Sequence, residues 1–369
     1  MKNLFSKLFF ANPKFGFKKI QKPILDEIEK IISSGNYIQG NLVSKFENSF
    51  LAFLGNKGYV VSCANGTDAI TIALLSYGLK GKKIIVPSHT APATIIGILH
   101  AGCIPLYCEI DEHSLLISPS HARILLEKES DIAAILAVNL YGFLVDIVAL
   151  KRLAKEYSIR LIEDCAQSTG TTFKHKMSGT IADAGTFSFF PTKNLSTIGD
   201  GGALWLPNKS IAKKARSLCQ YGWNSKRIVI NEDGINSRLD EIHAAILIQR
   251  LKSLKVDINK RRMLAQRYDK QLKTDYIKPQ FSSNQMPSYH LYIVRTQRRK
   301  ALMKYMSKHG ITLGIHYYPA NHNNGVISSK FADLPITSKI ANEVISLPLY
   351  PELDVRSQDR VIKLMNEFK

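Results

Sequence analysis

Three short stretches hold residues whose types and spacing can do chemistry. "FSFFPTKNLSTIGDGGAL" (187–204) sets Lys193 between an aromatic run and a glycine-rich turn. "LIEDCAQSTG" (161–170) ends an aliphatic run on Asp164, with Gln167 three residues on. "SCANGTDAI" (62–70) ends another apolar run and opens a helical pattern at Gly66-Thr67-Asp68. A buried ammonium is costly unless paired or neutralised, so Lys193 either points to solvent or has a use for its amine. A carboxylate in the place of Asp164 caps a helix, ligates a metal or partners a cationic heterocycle. Amides at a helix N-terminus favour an anion, and glycine lets it come close; Asn-Gly is also an ordinary turn, and Thr67 or Asp68 an ordinary cap.

Taken together, the three narrow the choice. A dinucleotide fingerprint fails, because Leu204 stands where G-x-G-x-x-G needs its last glycine and the following segment resembles a strand. No metal is expected, since H-E-x-x-H is absent and Asp164 has no partner at ligand spacing. A lysine amine forms Schiff bases when its surroundings lower its pKa. Pyridoxal phosphate requires such a lysine, an acid on its pyridinium nitrogen and an anion site for its phosphate. Lys193, Asp164 and Gly66-Thr67 supply all three.

The positioning elements are legible as alternation. Between residues 59 and 206, short apolar runs ("YVVSCANG", "KKIIVP", "IPLYCEI", "IAAILAVNLYG", "RLIEDCA", "AGTFSFF", "GALWLP") alternate with helical patterns. That order predicts an α/β fold with a mostly parallel sheet covered on both faces. Ligands gather at the C-terminal ends of such strands, where Asn65, Asn139, Asp164 and Ser188 fall. A long helix is expected at about 237–254, its stripe being Leu239, Ile242, Ile246 and Leu254. The boundary is expected near residue 250, giving a large domain at 1–250 with its N-terminal segment and a smaller α+β domain at 251–369.

The chain resembles the DegT/DnrJ/EryC1/StrS sugar aminotransferases. Eight pieces in that family's order carry the likeness: "GNYIQGNLVSKFE", "ANGTDAI", "VPSHTAPAT", "VNLYG", "IEDCAQSTG", "FSFFPTKNLSTIGDGGAL", "NSRLDEIHAAIL" and "HYYPANH". The resemblance implies the aspartate-aminotransferase-like architecture, fold type I of the pyridoxal-phosphate enzymes. It implies Lys193 as the Schiff-base lysine, Asp164 on the pyridinium nitrogen, and Gln167 on the ring hydroxyl. Ser188, Gly66 and Thr67 then bind the phosphate, and Asn236 reaches the phosphate of a neighbouring subunit, which implies a homodimer with shared sites. Glutamate is the implied amino donor, and a nucleoside-diphosphate keto-sugar the acceptor.

One departure stands out. After Thr90 many members carry an aromatic that stacks on the pyridine ring; here it is Ala91. The "SHTA" form resembles the branch acting on dTDP-3-keto-6-deoxy sugars, with a 4-keto acceptor as the alternative. His89 is left either to cover the ring or to be an ordinary loop histidine. Tyr141, Tyr221, Tyr317, His316 and His322 are candidates for the sugar pocket, each also open to a structural role.

Charge raises a different class of function. Fifty Lys and Arg against thirty Asp and Glu give +20, and the runs 209–227 and 295–308 contain no acid. Aromatics do not interleave with them as a nucleic-acid platform requires, so solvated helix faces, some steering an anionic substrate, are expected instead. A sensor or nucleic-acid binder is therefore the weaker reading, as is a sugar dehydratase, whose relatives carry histidine in place of the lysine. Five scattered cysteines without a C-x-x-C pair and no signal-peptide core fit a reducing, cytoplasmic setting. Ile84–Cys108 lacks acid, lysine and arginine, but its prolines and glycine read as soluble strand–helix–strand rather than a membrane span.

Overall fold

In the computed structural model, residues 7–273, 275–325 and 333–369 are described. Seven strands form the central sheet: β1 (Tyr59–Cys63), β2 (Lys83–Pro87), β3 (Ile104–Cys108), β4 (Ile132–Val138), β5 (Arg160–Asp164), β6 (Ala184–Ser188) and β7 (Gly202–Leu206). Their spatial order is β1-β7-β6-β5-β4-β2-β3. The pairs β2–β3, β2–β4, β4–β5 and β5–β6 are parallel. Only β7 runs against its neighbours β6 and β1. The sheet is therefore mixed but mostly parallel, and its strands are apolar because both faces are covered.

Helices α1 (Gly66–Ser76), α2 (Pro92–His100), α3 (Pro119–Lys128) and α4 (Ile147–Glu156) connect the successive strands β1 to β5, and α5 (Lys209–Leu218) follows β7. The acid-free stretch 84–108 is thus one strand, one nine-residue helix and a second strand. Among the described residues no helix is long and apolar enough to cross a membrane.

The long helix α6 spans Glu241–Gln271, well beyond the expected end at 254. Past that point the buried stripe continues through Asp257, Ile258, Arg261, Ala265 and Tyr268. Two of those five are charged, so apolar spacing alone underestimates the length. Helix α6 also crosses residue 250 without a break. Leu239 of the expected stripe precedes the helix and is buried in front of it. Helices at 21–34 and 41–54 pack on α6.

The C-terminal part pairs Tyr292–Arg295 antiparallel with Val344–Leu347, flanked by helices Arg299–Lys308, Pro335–Glu343 and Val355–Glu367. The first described strand, Leu8–Phe9, runs parallel to Ile311–Thr312, so these two residues are built into this part.

The basic runs are only locally acid-free. Arg216 makes a two-pronged bond to Glu47, at 2.7 and 2.6 Å. Buried Arg295 donates twice to Glu343, at 3.1 and 2.8 Å, and to Glu112. Arg299 donates to the carbonyl of Ala341. These cations are tied to acids and carbonyls distant in sequence, which leaves the exposed remainder for solvent.

Candidate active site

Strand order reverses at β2, whose neighbours are β3 on one side and β4 on the other. A crevice opens beyond the C-terminal ends of strands at such a point. Here it is a cavity of about 290 Å³. Gly66, Thr67, Asp164, Gln167, Ser188 and Lys193 all line it, together with Asn65, Thr90, Ala91, Thr94, Phe190 and Asp200.

One wall is the N-terminus of α1. Asn65 caps it, its Oδ1 accepting from the Asp68 amide at 2.8 Å. The first amides of a helix have no partner within it, so those of Gly66 and Thr67 remain at the cavity wall. Glycine is required at 66 because a Cβ there would stand 2.7 Å from Cβ of Ser188. That close approach joins the α1 terminus to the end of β6.

Asp164, the last residue of β5 and 4% exposed, also lines the cavity. Its Oδ2 accepts from the Thr94 hydroxyl at 2.9 Å and its Oδ1 from the Ala166 amide at 3.0 Å. Burial raises its pKa, opposed by those two donors and by the charge of Lys193. Both of its hydrogen-bond donors are neutral, so among the described residues the one positive charge that acts on this carboxylate is that of Lys193.

Lys193 follows a tight turn in which its amide donates to the Phe190 carbonyl at 2.9 Å. The residue as a whole is half-buried. Its amine is the enclosed end: loss of water there lowers the pKa to about 8, with Asp164 pulling the other way. His316 is pushed down to about 4 by burial and by the Lys193 charge. His290 is pushed well below its usual value by burial, then by Lys193. Both imidazoles are therefore neutral near pH 7, and Asp164 is the group that favours the ammonium.

Behind the cavity lies a chain of hydrogen bonds. Gln167 accepts from the Tyr141 amide at 2.8 Å and donates to the Tyr317 hydroxyl at 2.8 Å. Tyr141 is wholly buried, with φ 64°, a left-handed conformation a non-glycine holds only where its surroundings enforce it. Its hydroxyl donates to the His316 carbonyl and lies 2.6 Å from His89 Nε2. Because a phenol has one proton, His89 Nε2 must donate, which leaves Nδ1 as an acceptor with no partner in the described residues. Burial lowers the His89 pKa to about 4, consistent with that neutral tautomer.

Other residues singled out in the sequence lie differently. His89 is 1% exposed and does not line the cavity; Thr90 and Ala91 do. His316 Nδ1 is 2.7 Å from the Ser346 hydroxyl. His322 is held on both nitrogens, by Ser88 at 2.7 Å and Ser338 at 2.9 Å. Tyr221, 39% exposed, tilts on Trp223 and carries the Arg238 guanidinium at 5.6 Å. Asn236 is exposed, in an isolated bridge with Gln220. Thr94 was the residue not singled out, although "VPSHTAPAT" contains it; nothing local indicates that a threonine on α2 meets an aspartate 70 residues later. Among the described residues no group of three or more His, Cys, Asp or Glu is placed to hold a metal.

The donor set fits pyridoxal phosphate on this structure's own terms: an enclosed amine of lowered pKa, a buried carboxylate that feels the Lys193 charge but makes no direct ion pair among the described residues, and helix-start amides without a partner within the helix. Residues 18–366 match the DegT/DnrJ/EryC1/StrS aminotransferase family. A dTDP-3-amino-3,6-dideoxy-alpha-D-galactopyranose transaminase from Aneurinibacillus thermoaerophilus is 35% identical over 353 residues, 95% of this chain and 96% of that one. S. venezuelae DesV, solved in complex with a ketimine intermediate, is similar with a TM-score of 0.94 at 30% identity, covering 98% of each chain. NtdA from Bacillus subtilis, solved with bound cofactor PMP, has a TM-score of 0.90 at 30% identity, covering 99% of this chain and 85% of that one.

Proposed function

This chain belongs to the DegT/DnrJ/EryC1/StrS aminotransferase family, and from that premise we propose that it transfers an amino group from glutamate to a keto carbon of a nucleoside-diphosphate deoxysugar, with pyridoxal phosphate as cofactor. The observation that carries the reading is one cavity joining Lys193, Asp164 and the α1 N-terminus. The sugar is a dTDP-linked 3-keto-6-deoxyhexose, a choice supported by the product in the name of the Aneurinibacillus relative. Its product supplies deoxysugar or surface-glycan synthesis in the cytoplasm.

Within the cavity the roles divide by chemistry. Lys193 would hold the cofactor through its amine and, when that amine is free, would accept and return a proton at Nζ. A pKa of about 8 suits that task, since a proton carrier works best near its operating pH. Bound there, pyridoxal phosphate supplies an electron sink for negative charge on the carbon beside an amino group. Asp164 holds positive charge on the ring nitrogen, and Thr94 and Ala166 keep that carboxylate ionised and aimed. Gly66, Thr67 and Ser188 receive the phosphate. Gln167, fixed by Tyr141 and Tyr317, meets the ring hydroxyl. His316 and Tyr317 approach the sugar, and His89 braces Tyr141 from behind rather than covering the ring.

Asn236 serves the phosphate site of a second copy. Its exposure, beside Ile228, Val229 and Ile230 at 57, 58 and 60% exposed, supports a homodimer. Light scattering of the holo-protein is expected to give twice the mass of one chain; a single-chain mass at micromolar concentration contradicts it.

Two outcomes test the cofactor assignment. The rate at which apo-protein captures pyridoxal phosphate rises with pH, because only the neutral amine attacks, and levels off above about 8. A midpoint at the ordinary lysine value near 10.5 contradicts an enclosed amine. Gly66→Ala forces Ser188 and the α1 terminus apart and weakens cofactor binding by roughly ten- to a hundredfold, on the order of 1–3 kcal/mol for lost charge-assisted hydrogen bonds. Equilibrium dialysis reads that change, and unaltered affinity sinks it.

The function itself is tested by incubating the reconstituted protein with glutamate and a panel of 3-keto and 4-keto nucleoside-diphosphate sugars, with products read by mass spectrometry. A 3-amino product on a dTDP sugar is expected. An amine at C4 replaces the ring position proposed here, and no amine on any sugar overturns the reading.

A further inference from the structure

The turn that carries Thr90 and Ala91 into the cavity follows β2 and opens α2. Its own side chains do not cap that helix, since Ala91 stands at the cap. The turn is held instead from the C-terminal part, by a single helical turn at Asn321–Asn323. Asn321 is 1% exposed and lies outside the cavity wall. Its Nδ2 donates to two backbone carbonyls, Ser88 at 3.0 Å and Thr90 at 2.8 Å. Its main-chain amide donates to the Ser88 carbonyl as well, at 3.1 Å. His322 adds a bond from its amide to the Ser88 hydroxyl, at 2.9 Å.

Two features separate this clamp from ordinary packing. The carboxamide cannot be turned over, because that would set Oδ1 against two carbonyl oxygens. Held as it is, Oδ1 is buried with no partner among the described residues. A buried acceptor left unpaired is costly. That cost offsets part of what the two donated bonds contribute to folding, and what they secure is the course of the turn.

The turn in its place aligns a chain of hydroxyls. The Thr94 hydroxyl donates to Oδ2 of Asp164 at 2.9 Å and stands 3.0 Å from the Thr90 hydroxyl. A hydroxyl has one proton, and that of Thr94 is spent on the carboxylate, so Thr90 donates to Thr94. Each donation polarises the next, and the chain ends on Asp164.

We propose that Asn321 is a positioning residue for pyridoxal phosphate: by fixing the Thr90 backbone it aligns Thr90 and Thr94, and so holds the Asp164 carboxylate charged and aimed. This role rests on the cofactor reading above and deepens it.

Cofactor affinity, measured by equilibrium dialysis, tests it in a double-mutant cycle of Asn321→Leu with Asp164→Asn. Leucine keeps the volume and removes the donors. In the otherwise wild-type protein, Asn321→Leu is expected to weaken binding by roughly three- to tenfold, the worth of one buried hydrogen bond. With Asp164→Asn already in place, the same change is expected to cost less than about twofold, because the charge it acts through is gone. An equal loss in both backgrounds marks a structural residue and overturns the proposal, as does no loss in either. Thr90→Val, which keeps the shape and removes the hydroxyl, is carried through the same cycle with the same expected pattern. Additive losses there overturn the proposal too, even if Asn321→Leu fails to fold. A wild-type protein that binds no cofactor overturns the function proposed above as well.

Discussion

Lys193→Ala abolishes amine transfer, lowering the rate by at least about a thousandfold, and the purified protein no longer retains a yellow cofactor band. Two losses combine in this substitution. The amine proposed to anchor the cofactor disappears, and so does the group proposed to carry the proton, itself worth about 10²–10⁴ in rate. Arginine at 193 does not rescue, because a guanidinium stays charged and is no nucleophile. The scaffold survives, since Lys193 is bound to the protein chiefly through its backbone turn, and removing an enclosed ammonium relieves a desolvation cost. The paired readouts are the visible absorbance after gel filtration and transfer from glutamate. Transfer at the wild-type rate in Lys193→Ala contradicts the assignment.

Asp164→Asn lowers the rate by roughly 10²–10³, a magnitude typical of losing one preorganised electrostatic partner, while leaving the apo-protein folded. Asparagine matches the shape and still accepts from the Ala166 amide, but brings no charge to the ring nitrogen. Stability moves the other way. Burial raises the Asp164 pKa in the folded protein, so the ionised carboxylate weakens folding at neutral pH, and that burden fades as pH falls below the folded pKa. The apo-variant is therefore at least as stable as wild type at pH 7, with the difference shrinking in acid. Thermal unfolding at the two pH values, run beside the transfer assay, reads both. A lower unfolding midpoint together with lost activity makes Asp164 structural.

Much of this was legible in the chain. The seven strands announce themselves because a parallel sheet buries both faces, and Asp164 and Ser188 are readable as strand-end residues for the same reason. The extra length of α6 was hidden because its second half buries Asp257 and Arg261, and one terminal nitrogen of Arg261 is held by carbonyls 28 to 88 residues away. The two acid-free runs suggested bare positive faces, yet Arg216 meets Glu47 across 169 residues and Arg295 meets Glu112 across 183. His89 illustrates the same limit. Its neighbour Tyr141 is 52 residues on, and only the fold tells that the pair sits behind the cavity. Local pattern reports what a residue offers; long-range packing decides what it meets.

The central claim is that the side chain at 193 holds the cofactor covalently at rest. Borohydride reduction of the holo-protein, followed by proteolysis and peptide mapping, tests it most directly. A pyridoxyl group on Lys193, within the peptide containing "FPTKNLS", is the predicted result. A pyridoxyl group on any other lysine, or none in protein saturated with the cofactor, contradicts it.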